Sequence, residues 1–332
     1  MKQRKWLLAG IVWLGFIYLF TMFILVHRID YRLSAPGNIE PIDSFIQFDV
    51  DTEDVPQYFA VYVMSIDRPT IFQFILAQFM PYVRVEPLPE SVRGISTPDQ
   101  FRSGQIARNT AIDASIITVF ESLGLPITYE EHYLVSLIYN FISEPRLNIG
   151  DRILTVNGFD DIFEGIALTE CGDEAAFEVL TRAGERRTFM IERQAQENCR
   201  FGLVISRYYD ITALGLTFEV RENLVGGPSS GLMQTLYVYD LLSEQGLSRD
   251  LIVAGTGTIM IDGRVGSVGG IEQKIYTAYL DEVDVFFVPQ GANYEQARAV
   301  YDRLDKPSFE LIPVETFQEA LDALSARAGD GS

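Results

Sequence analysis

The chain has 332 residues, of which 48% are hydrophobic and 22% are charged. This apolar content excludes a disordered chain and is sufficient for two domains with their own cores. The formal net charge of −20 argues against nucleic acid and against direct adhesion to anionic lipid, because both carry negative charge.

The N-terminus carries a long uncharged segment. Residues 6–26 are 21 consecutive uncharged, mostly apolar positions, preceded by Lys2, Arg4 and Lys5. At a rise of about 1.5 Å per residue, this run predicts a single transmembrane helix. The basic residues predict a cytoplasmic stub at 1–5, with the bulk of the chain on the outer face of the cell membrane. A cleaved signal peptide is the alternative, although the run is long for one and no Ala-x-Ala-like site follows it.

Residues 30–125 are predicted to form an extracytoplasmic segment with helices. A strand is expected at 58–64, an apolar helix from Ile71 to Phe79 and an amphipathic helix over 99–124. Aromatic residues crowd the first of these helices. Because aromatic clusters are usually core, we expect it to pack against the following domain. A surface that faces the membrane or a partner is the alternative.

A β-rich domain is predicted over 126–197. The run from Leu147 to Gly158, LNIGDRILTVNG, has a turn, an alternating strand and an Asn-Gly hairpin turn. It resembles the strand and turn of PDZ domains, which bind an extended peptide at a sheet edge. No Gly-Leu-Gly-Phe-like carboxylate loop is visible near 133–138. We therefore leave open whether this domain binds a peptide ligand to recruit substrate or to regulate the chain.

Cys171 and Cys199 are the only cysteines of the chain. Outside the cytoplasm one expectation is a disulfide between them, and the other is two small buried side chains without a bond. Because they lack clustered histidine or cysteine partners, we expect no metal site. No cofactor is expected either.

Residues 198–328 are predicted to form an α+β domain. Its expected strands lie at 216–220, 251–254 and 283–288, and its expected helices at 231–243, 271–281, 293–304 and 316–326. The predicted fold class is therefore mixed α/β, with a transmembrane helix, a PDZ-like β-rich domain and this α+β domain.

The run Gly226-Gly227-Pro228-Ser229-Ser230-Gly231 carries the strongest chemical signal. The Gly-Gly-Pro turn opens onto an apolar run, so Ser229 lies near a helix N-terminus whose N–H groups could bind an oxyanion. Lys274, 45 positions later, can act as a base if burial keeps its amine neutral. The two histidines, His27 and His132, are not well placed for that role. The alternatives are a serine that only caps a helix and a solvated lysine.

Four blocks resemble, in order, the proteolytic domain of Lon-type serine peptidases: Gly-Pro-Ser229-Ser-Gly, Ala254–Ile259, Gly263–Val265 and Gly269–Lys274. The architecture looks like the membrane-anchored, PDZ-containing branch of that family. The resemblance implies that Ser229 is the nucleophile and Lys274 the general base. Thr256 is then the residue whose hydroxyl orients the lysine, and Ser229 and Ser230 are the oxyanion-hole candidates. ATP-driven Lon enzymes usually carry an acidic residue at the position of Gly226, whereas the anchored branch resembles this chain in having glycine there.

The expected function combines these signals. The sequence contains no Gly-x-x-x-x-Gly-Lys-Ser/Thr phosphate loop, so ATP dependence is not expected. We expect a membrane-anchored serine endopeptidase that cleaves unfolded or flexible extracytoplasmic or membrane-associated proteins through an acyl-enzyme. The alternative is a catalytically silent extracytoplasmic scaffold that binds peptides through its PDZ-like domain. A homo-oligomer is compatible with either function.

Overall fold

The computed structural model describes residues 2–50, 55–88, 94–139, 147–195, 198–221, 225–248 and 251–330, without the side chains of residues 2, 3, 5, 7, 9 and 328–330. The helices in these ranges are α1 (Lys2–Val26), α2 (Ile71–Ala77), α3 (Thr97–Ser122), α4 (Ile162–Ala167), α5 (Gly231–Ser243), α6 (Ile271–Leu280), α7 (Ala292–Tyr301) and α8 (Phe317–Asp330). The strands are β1 (Tyr31–Pro41), β2 (Ile46–Phe48), β3 (Tyr58–Asp67), β4 (Arg84–Pro87), β5 (Ile127–Ile138), β6 (Arg152–Val156), β7 (Glu174–Leu180), β8 (Arg186–Glu192), β9 (Leu203–Leu214), β10 (Phe218–Val220), β11 (Val253–Gly255), β12 (Thr258–Ile259), β13 (Val265–Gly266), β14 (Val285–Pro289) and β15 (Glu310–Val314).

A six-stranded sheet has the strand order β15-β14-β11-β3-β1-β4. The pairs from β15 to β3 are parallel, and β1 pairs antiparallel with both β3 and β4. Every residue of β14 is buried, as expected for a parallel strand covered on both faces. Its alternate side chains enter two different cores: Val285 and Phe287 enter one, and Phe286 and Val288 the other.

Helices cover both faces of this sheet. Residues of α3, α5 and α8 share the first core, whereas α6 and α7 contribute to the second. Nearly all of α5 is buried, which fits a helix that is apolar around its whole circumference. The predicted site residues Ser229 and Lys274 lie at the N-terminal ends of α5 and α6. These two helices therefore pack against opposite faces of one sheet.

A second sheet of five antiparallel strands has the order β8-β7-β6-β5-β9. It has its own core, which includes Val156, Phe177 and Phe189 and the helix residue Ile162. In β8 buried and exposed residues alternate towards its end, as in a strand with one solvated face. The strands expected in the LNIGDRILTVNG region are thus confirmed as β6 and its neighbours, while their relation to PDZ domains stays a prediction.

The predicted segments do not fold as separate units in chain order, because strands from different segments pair with each other. Strand β3, from the segment predicted at 30–125, pairs parallel with β11, and Tyr58 lies opposite Val253. Strand β9, from the segment predicted at 198–328, pairs with β5 over its whole length. The predicted boundary at 197 lies outside the described residues. The five-stranded unit is therefore inserted between α3 and β10. The sequence did not predict this insertion, because local patterns identify strands without identifying the distant strands with which they pair.

The N-terminal helix α1 carries mostly exposed side chains among those described. In the part of the chain that the structure describes, no helix combines the length and apolar character needed to cross a membrane. The transmembrane helix at 6–26 stays a prediction.

The structure does not place the helix α2 as expected. Ala77 is its buried residue, whereas Phe72, Leu76 and the following Phe79 are exposed. The expectation that this aromatic cluster is core was wrong, because the neighbouring sheet buries only one side of this short helix.

The two cysteines form a disulfide, with their Cα atoms 5.2 Å apart. Arg193 reinforces the same region, because its Nε donates to the carbonyl of Cys199 at 2.8 Å and its Nη1 to that of Thr169 at 2.5 Å. The bond closes a loop that contains β7 and β8. A loop of this length is expected to stabilise the fold by about 3–4 kcal/mol, mainly by restricting the unfolded chain.

Candidate active site

Ser229 lies immediately before α5. The N-cap of this helix is Ser230, whose side chain makes no capping hydrogen bond. The carbonyl oxygen of Ser229 accepts from the N–H of Gly257 at 2.9 Å and from Oγ1 of Thr256 at 3.0 Å. The turn after β11 therefore fixes the backbone of Ser229 and leaves its hydroxyl directed elsewhere.

Lys274 reaches this hydroxyl from the first turn of α6. The helix begins after Gly270, which has a φ of 70° in the left-handed region favoured by glycine. The Lys274 Nζ atom lies 2.8 Å from Oγ of Ser229 and 2.7 Å from Oγ1 of Thr256. Because the Thr256 hydroxyl donates to the Ser229 carbonyl, its oxygen is free to accept from the lysine. The structure thus brings together the three residues that the sequence singled out.

The environment of Lys274 favours a neutral amine. The residue is only 3% exposed, and burial lowers its pKa from 10.5 to about 7. A buried ammonium loses its hydration, so the uncharged form becomes accessible near neutral pH. An amine in that form can accept the proton of the Ser229 hydroxyl, as a general base must.

Ser230 occupies a different environment from its neighbour. It is buried, and its Oγ accepts from Nε2 of Gln234 at 3.0 Å. Among the described residues, no hydrogen bond from the backbone N–H groups of Ser229 or Ser230 is found. Their role as an oxyanion hole stays a prediction.

The turn before Ser229 packs against α3. The N–H of Gly227 donates to the carbonyl of Gly104 at 2.8 Å, and Nε2 of Gln105 donates to the carbonyl of Val225 at 3.1 Å. A Cβ atom on Gly226 would lie 3.0 Å from the backbone of Gly104. This close approach favours glycine at both positions, because a side chain at either one would displace the neighbouring backbone by a few tenths of an ångström. Sequence analysis missed Gly104, although a glycine inside a predicted helix is a recognised signal of close packing.

An open cleft of about 630 Å³ lies beside Ser229 and Lys274. A second cleft of about 860 Å³ extends along α3, and Arg32, Ser65 and Gly226 line both. Between them Arg32 makes a bidentate ion pair with Asp67, with distances of 2.6 and 2.9 Å. A groove thus leads from the serine across β1 and β3, strands whose role the sequence did not indicate.

The histidines have other partners. The ring of His132 is nearly buried and lies 3.5 Å from the carboxylate of Glu130, and the ring of His27 stacks on Phe23. Within the described residues, no contact joins either histidine to Ser229. This agrees with the expectation that neither serves as its base.

Residues 225–326 match the family model of the Lon protease (S16) C-terminal proteolytic domain. The chain is 27% identical over 167 residues to a Lon protease of Mesomycoplasma hyopneumoniae (strain 232), over 46% of this chain and 18% of that protein. It is 31% identical over 112 residues to Lon protease 2 of Bacillus subtilis (strain 168), over 32% of this chain and 19% of that protein. A Lon protease of Buchnera aphidicola subsp. Schizaphis graminum (strain Sg) is 22% identical over 333 residues, 87% of this chain and 42% of that protein.

The chain spans less than half the length of each of these relatives. The matched region contains Ser229, Thr256 and Lys274. Within a mixed α/β protein, residues 225–326 are therefore similar to a Lon-type proteolytic domain.

Proposed function

We propose that the chain is a serine endopeptidase in which Ser229 is the nucleophile and Lys274 the general base. The observation that carries this proposal is the 2.8 Å separation of Nζ of the buried Lys274 from Oγ of the half-buried Ser229. A solvated lysine would lie at the surface, and a serine that only caps a helix would accept from a backbone N–H. Thr256 is the positioning residue for the lysine, through its 2.7 Å hydrogen bond.

The same amine takes up and returns a proton in each of the two halves of the reaction. Neutral Lys274 takes the proton of the Ser229 hydroxyl while Oγ attacks the peptide carbonyl carbon. The N–H groups of Ser229 and Ser230 stabilise the resulting oxyanion. The Lys274 ammonium then returns the proton to the leaving amine nitrogen as the C–N bond breaks, which yields the acyl-enzyme. Neutral Lys274 then takes a proton from a water molecule that attacks the ester carbon, and the ammonium returns this proton to Ser229 Oγ as the C–O bond breaks, which releases the acid and restores the serine.

The open groove beside Ser229 supports extended polypeptide as the substrate. A cleft bordered by the strands β1 and β3 suits a chain without secondary structure of its own, which could lie along the strands. We propose that unfolded or flexible segments are cleaved without ATP, since the sequence holds no phosphate loop. Cleavage of a stably folded protein only in the presence of ATP would contradict this.

We also propose that the chain is anchored in the cell membrane by residues 6–26, with the peptidase domain outside the cytoplasm. The support is the run of 21 uncharged residues behind three basic ones. Immunoblots of membrane and medium fractions test the anchor, and a shorter soluble product would indicate a cleaved signal peptide. A PDZ-like role for the five-stranded unit, with peptide added at a sheet edge, belongs to the same proposal.

The decisive experiment compares casein cleavage by the wild type, Ser229→Ala, Lys274→Ala and the matched control Ser230→Ala. We expect no turnover by the first two variants and residual turnover by the control, because Ser230 acts only through its backbone N–H. Covalent labelling of the wild type by a fluorophosphonate would report the nucleophile independently. Equal cleavage by all four proteins would contradict the dyad.

The second candidate function is a silent scaffold that binds peptides through the five-stranded unit. The observation that favours it is the separate core of that unit, which can support binding without catalysis. A wild type that cleaves no unfolded substrate across a wide pH range, yet retains peptides on the five-stranded unit, would favour the scaffold.

A further inference from the structure

Helix α2 exposes an apolar stripe. Phe72, Ile75, Leu76 and Phe79 lie at positions i, i+3, i+4 and i+7 and are all exposed, with Phe79 at 81%. This spacing places Phe72, Ile75 and Leu76 on one side of α2, and Phe79 follows in the turn after the end of the helix. An apolar stripe exposed to water is unfavourable. It marks a surface that a membrane or another protein covers.

The opposite side of α2 is firmly packed, so the exposure does not result from a loosely attached helix. The ring of Phe74 lies 4.8 Å from that of Tyr31 at the start of β1, and Ala77 is buried. A capping box between Thr70 and Gln73 closes the N-terminus of the helix, with hydrogen bonds of 2.8 and 3.2 Å. The apolar stripe is therefore held in a fixed direction.

The stripe lies beside the end of α1. The N–H of Ile71 donates to the carbonyl of His27 at 3.0 Å, and the N–H of Ile29 donates to that of Pro69 at 3.0 Å. The first residue of α2 is thus hydrogen-bonded to the residue that follows α1. Any bilayer that contains α1 must have its surface at this level of the molecule.

The charge distribution agrees with contact to lipid. Residues 69–83 contain no charged side chain, although 22% of the whole chain is charged. Met80 and Tyr82, which follow the stripe, are also exposed. The net charge of −20 would repel an anionic surface, so the contact must be made by apolar and aromatic groups that enter below the headgroups.

We propose that the α2 surface, formed by Phe72, Ile75, Leu76, Phe79 and Met80, inserts into the outer leaflet of the membrane beside the α1 anchor. This inference rests on the membrane anchoring proposed above. A second contact point restricts rotation of the peptidase domain about α1. It also fixes the cleft lined by Arg32, six residues beyond the end of α1, close to the bilayer surface, where membrane-proximal segments of substrates lie.

The test uses the full-length chain in phosphatidylcholine vesicles with an environment-sensitive nitrobenzoxadiazole label at one introduced cysteine. Phe79→Cys places the label on the α2 surface, and Phe163→Cys is the matched control, an exposed phenylalanine on α4. The native cysteines are paired, so the introduced thiol is the one that reacts. Casein cleavage shows that each labelled protein is folded. Quenchers are spin-labelled lipid in the acyl region and iodide in water.

We expect lipid quenching about threefold stronger at position 79 than at 163, and weaker quenching by iodide, since an interfacial helix lies about 5–10 Å below the headgroups. Equal behaviour of both labels in vesicle-bound protein would overturn the α2 contact and leave the anchor intact. Protection from iodide without lipid quenching would show that another protein surface, such as a second copy, covers the stripe, and would overturn it as well. Failure of the chain to float with vesicles would overturn both membrane proposals, while casein cleavage would still report the peptidase.

Discussion

At the scale of single residues, the protonation state of Lys274 is the key property of the proposed dyad. Its amine lies between two hydroxyl groups, Ser229 Oγ and Thr256 Oγ1, and burial lowers its pKa to about 7. Hydroxyl groups accept hydrogen bonds from an ammonium without neutralising its charge. Desolvation therefore dominates, and the base form is present where an exposed lysine would be fully protonated.

The pH dependence of casein cleavage follows from this pKa. Below about 7 the amine is mostly protonated and cannot take the serine proton, so kcat/KM should fall as pH decreases. Above that value the rate should level off until other groups titrate. Initial rates of casein cleavage measured across the pH range test this pH dependence, and circular dichroism at each pH shows that the protein stays folded. A rate that is independent of pH through neutrality would show that Lys274 is not the base.

We expect Thr256 to contribute to catalysis by positioning Lys274, and not by stabilising the folded protein. Thr256→Val removes the acceptor for Lys274 Nζ and the donor to the Ser229 carbonyl, whereas Thr256→Ser retains both. We expect kcat to fall about 10–100-fold in the valine variant, because small misplacements of a catalytic group have effects of this size. The serine variant should recover most of the activity. Equal losses in both variants would assign Thr256 a packing role instead.

At the scale of elements, the contact between α3 and the turn before Ser229 links a helix to the nucleophile. An alanine side chain at Gly104 would meet the Cα atom of Gly226 at 3.3 Å. We expect Gly104→Ala to reduce kcat about tenfold. The stability of helix α3 should be unchanged or higher, since alanine is favoured over glycine in helices. Gly215→Ala is the matched control, because its nearest neighbour is a proline carbon at 3.9 Å. A Gly104 variant with full activity would show that the turn tolerates displacement.

Much of the site was predictable because its residues are adjacent to local signals. Turn sequences and apolar runs located α5 and α6, and the resemblance identified Ser229, Thr256 and Lys274, which the structure brings together. A glycine inside a helix indicates close packing, but the partner of Gly104 was not predictable, because α3 packs against a turn far away in sequence. The exposure of α2 was mispredicted for a related reason: aromatic content indicates that a surface is covered but not by what.

At the scale of the molecule, the disulfide belongs to the inserted five-stranded unit. It joins Cys171 and Cys199 on either side of β7 and β8. Replacing both cysteines by serine should lower the stability of that unit by about 2–4 kcal/mol, measured by thermal unfolding. Casein cleavage at low temperature should persist, because Ser229 and Lys274 belong to the other sheet system. Loss of cleavage with an intact six-stranded sheet would show that the unit controls the site.

The insertion also determines whether the five-stranded unit is lost when the backbone of the protein is cleaved. The unit enters through β5 and leaves through β9, and Ile127 pairs with Leu214 where these two strands meet the rest of the chain. A single cut in either connection leaves the unit covalently attached through the other, and the long β5–β9 ladder keeps the entering and leaving strands of the unit paired with each other. Shedding it requires two cuts. If the proposed peptidase activity cuts one of these connections in another copy of the chain, that copy therefore keeps its five-stranded unit, whereas a unit attached through a single linker would be lost.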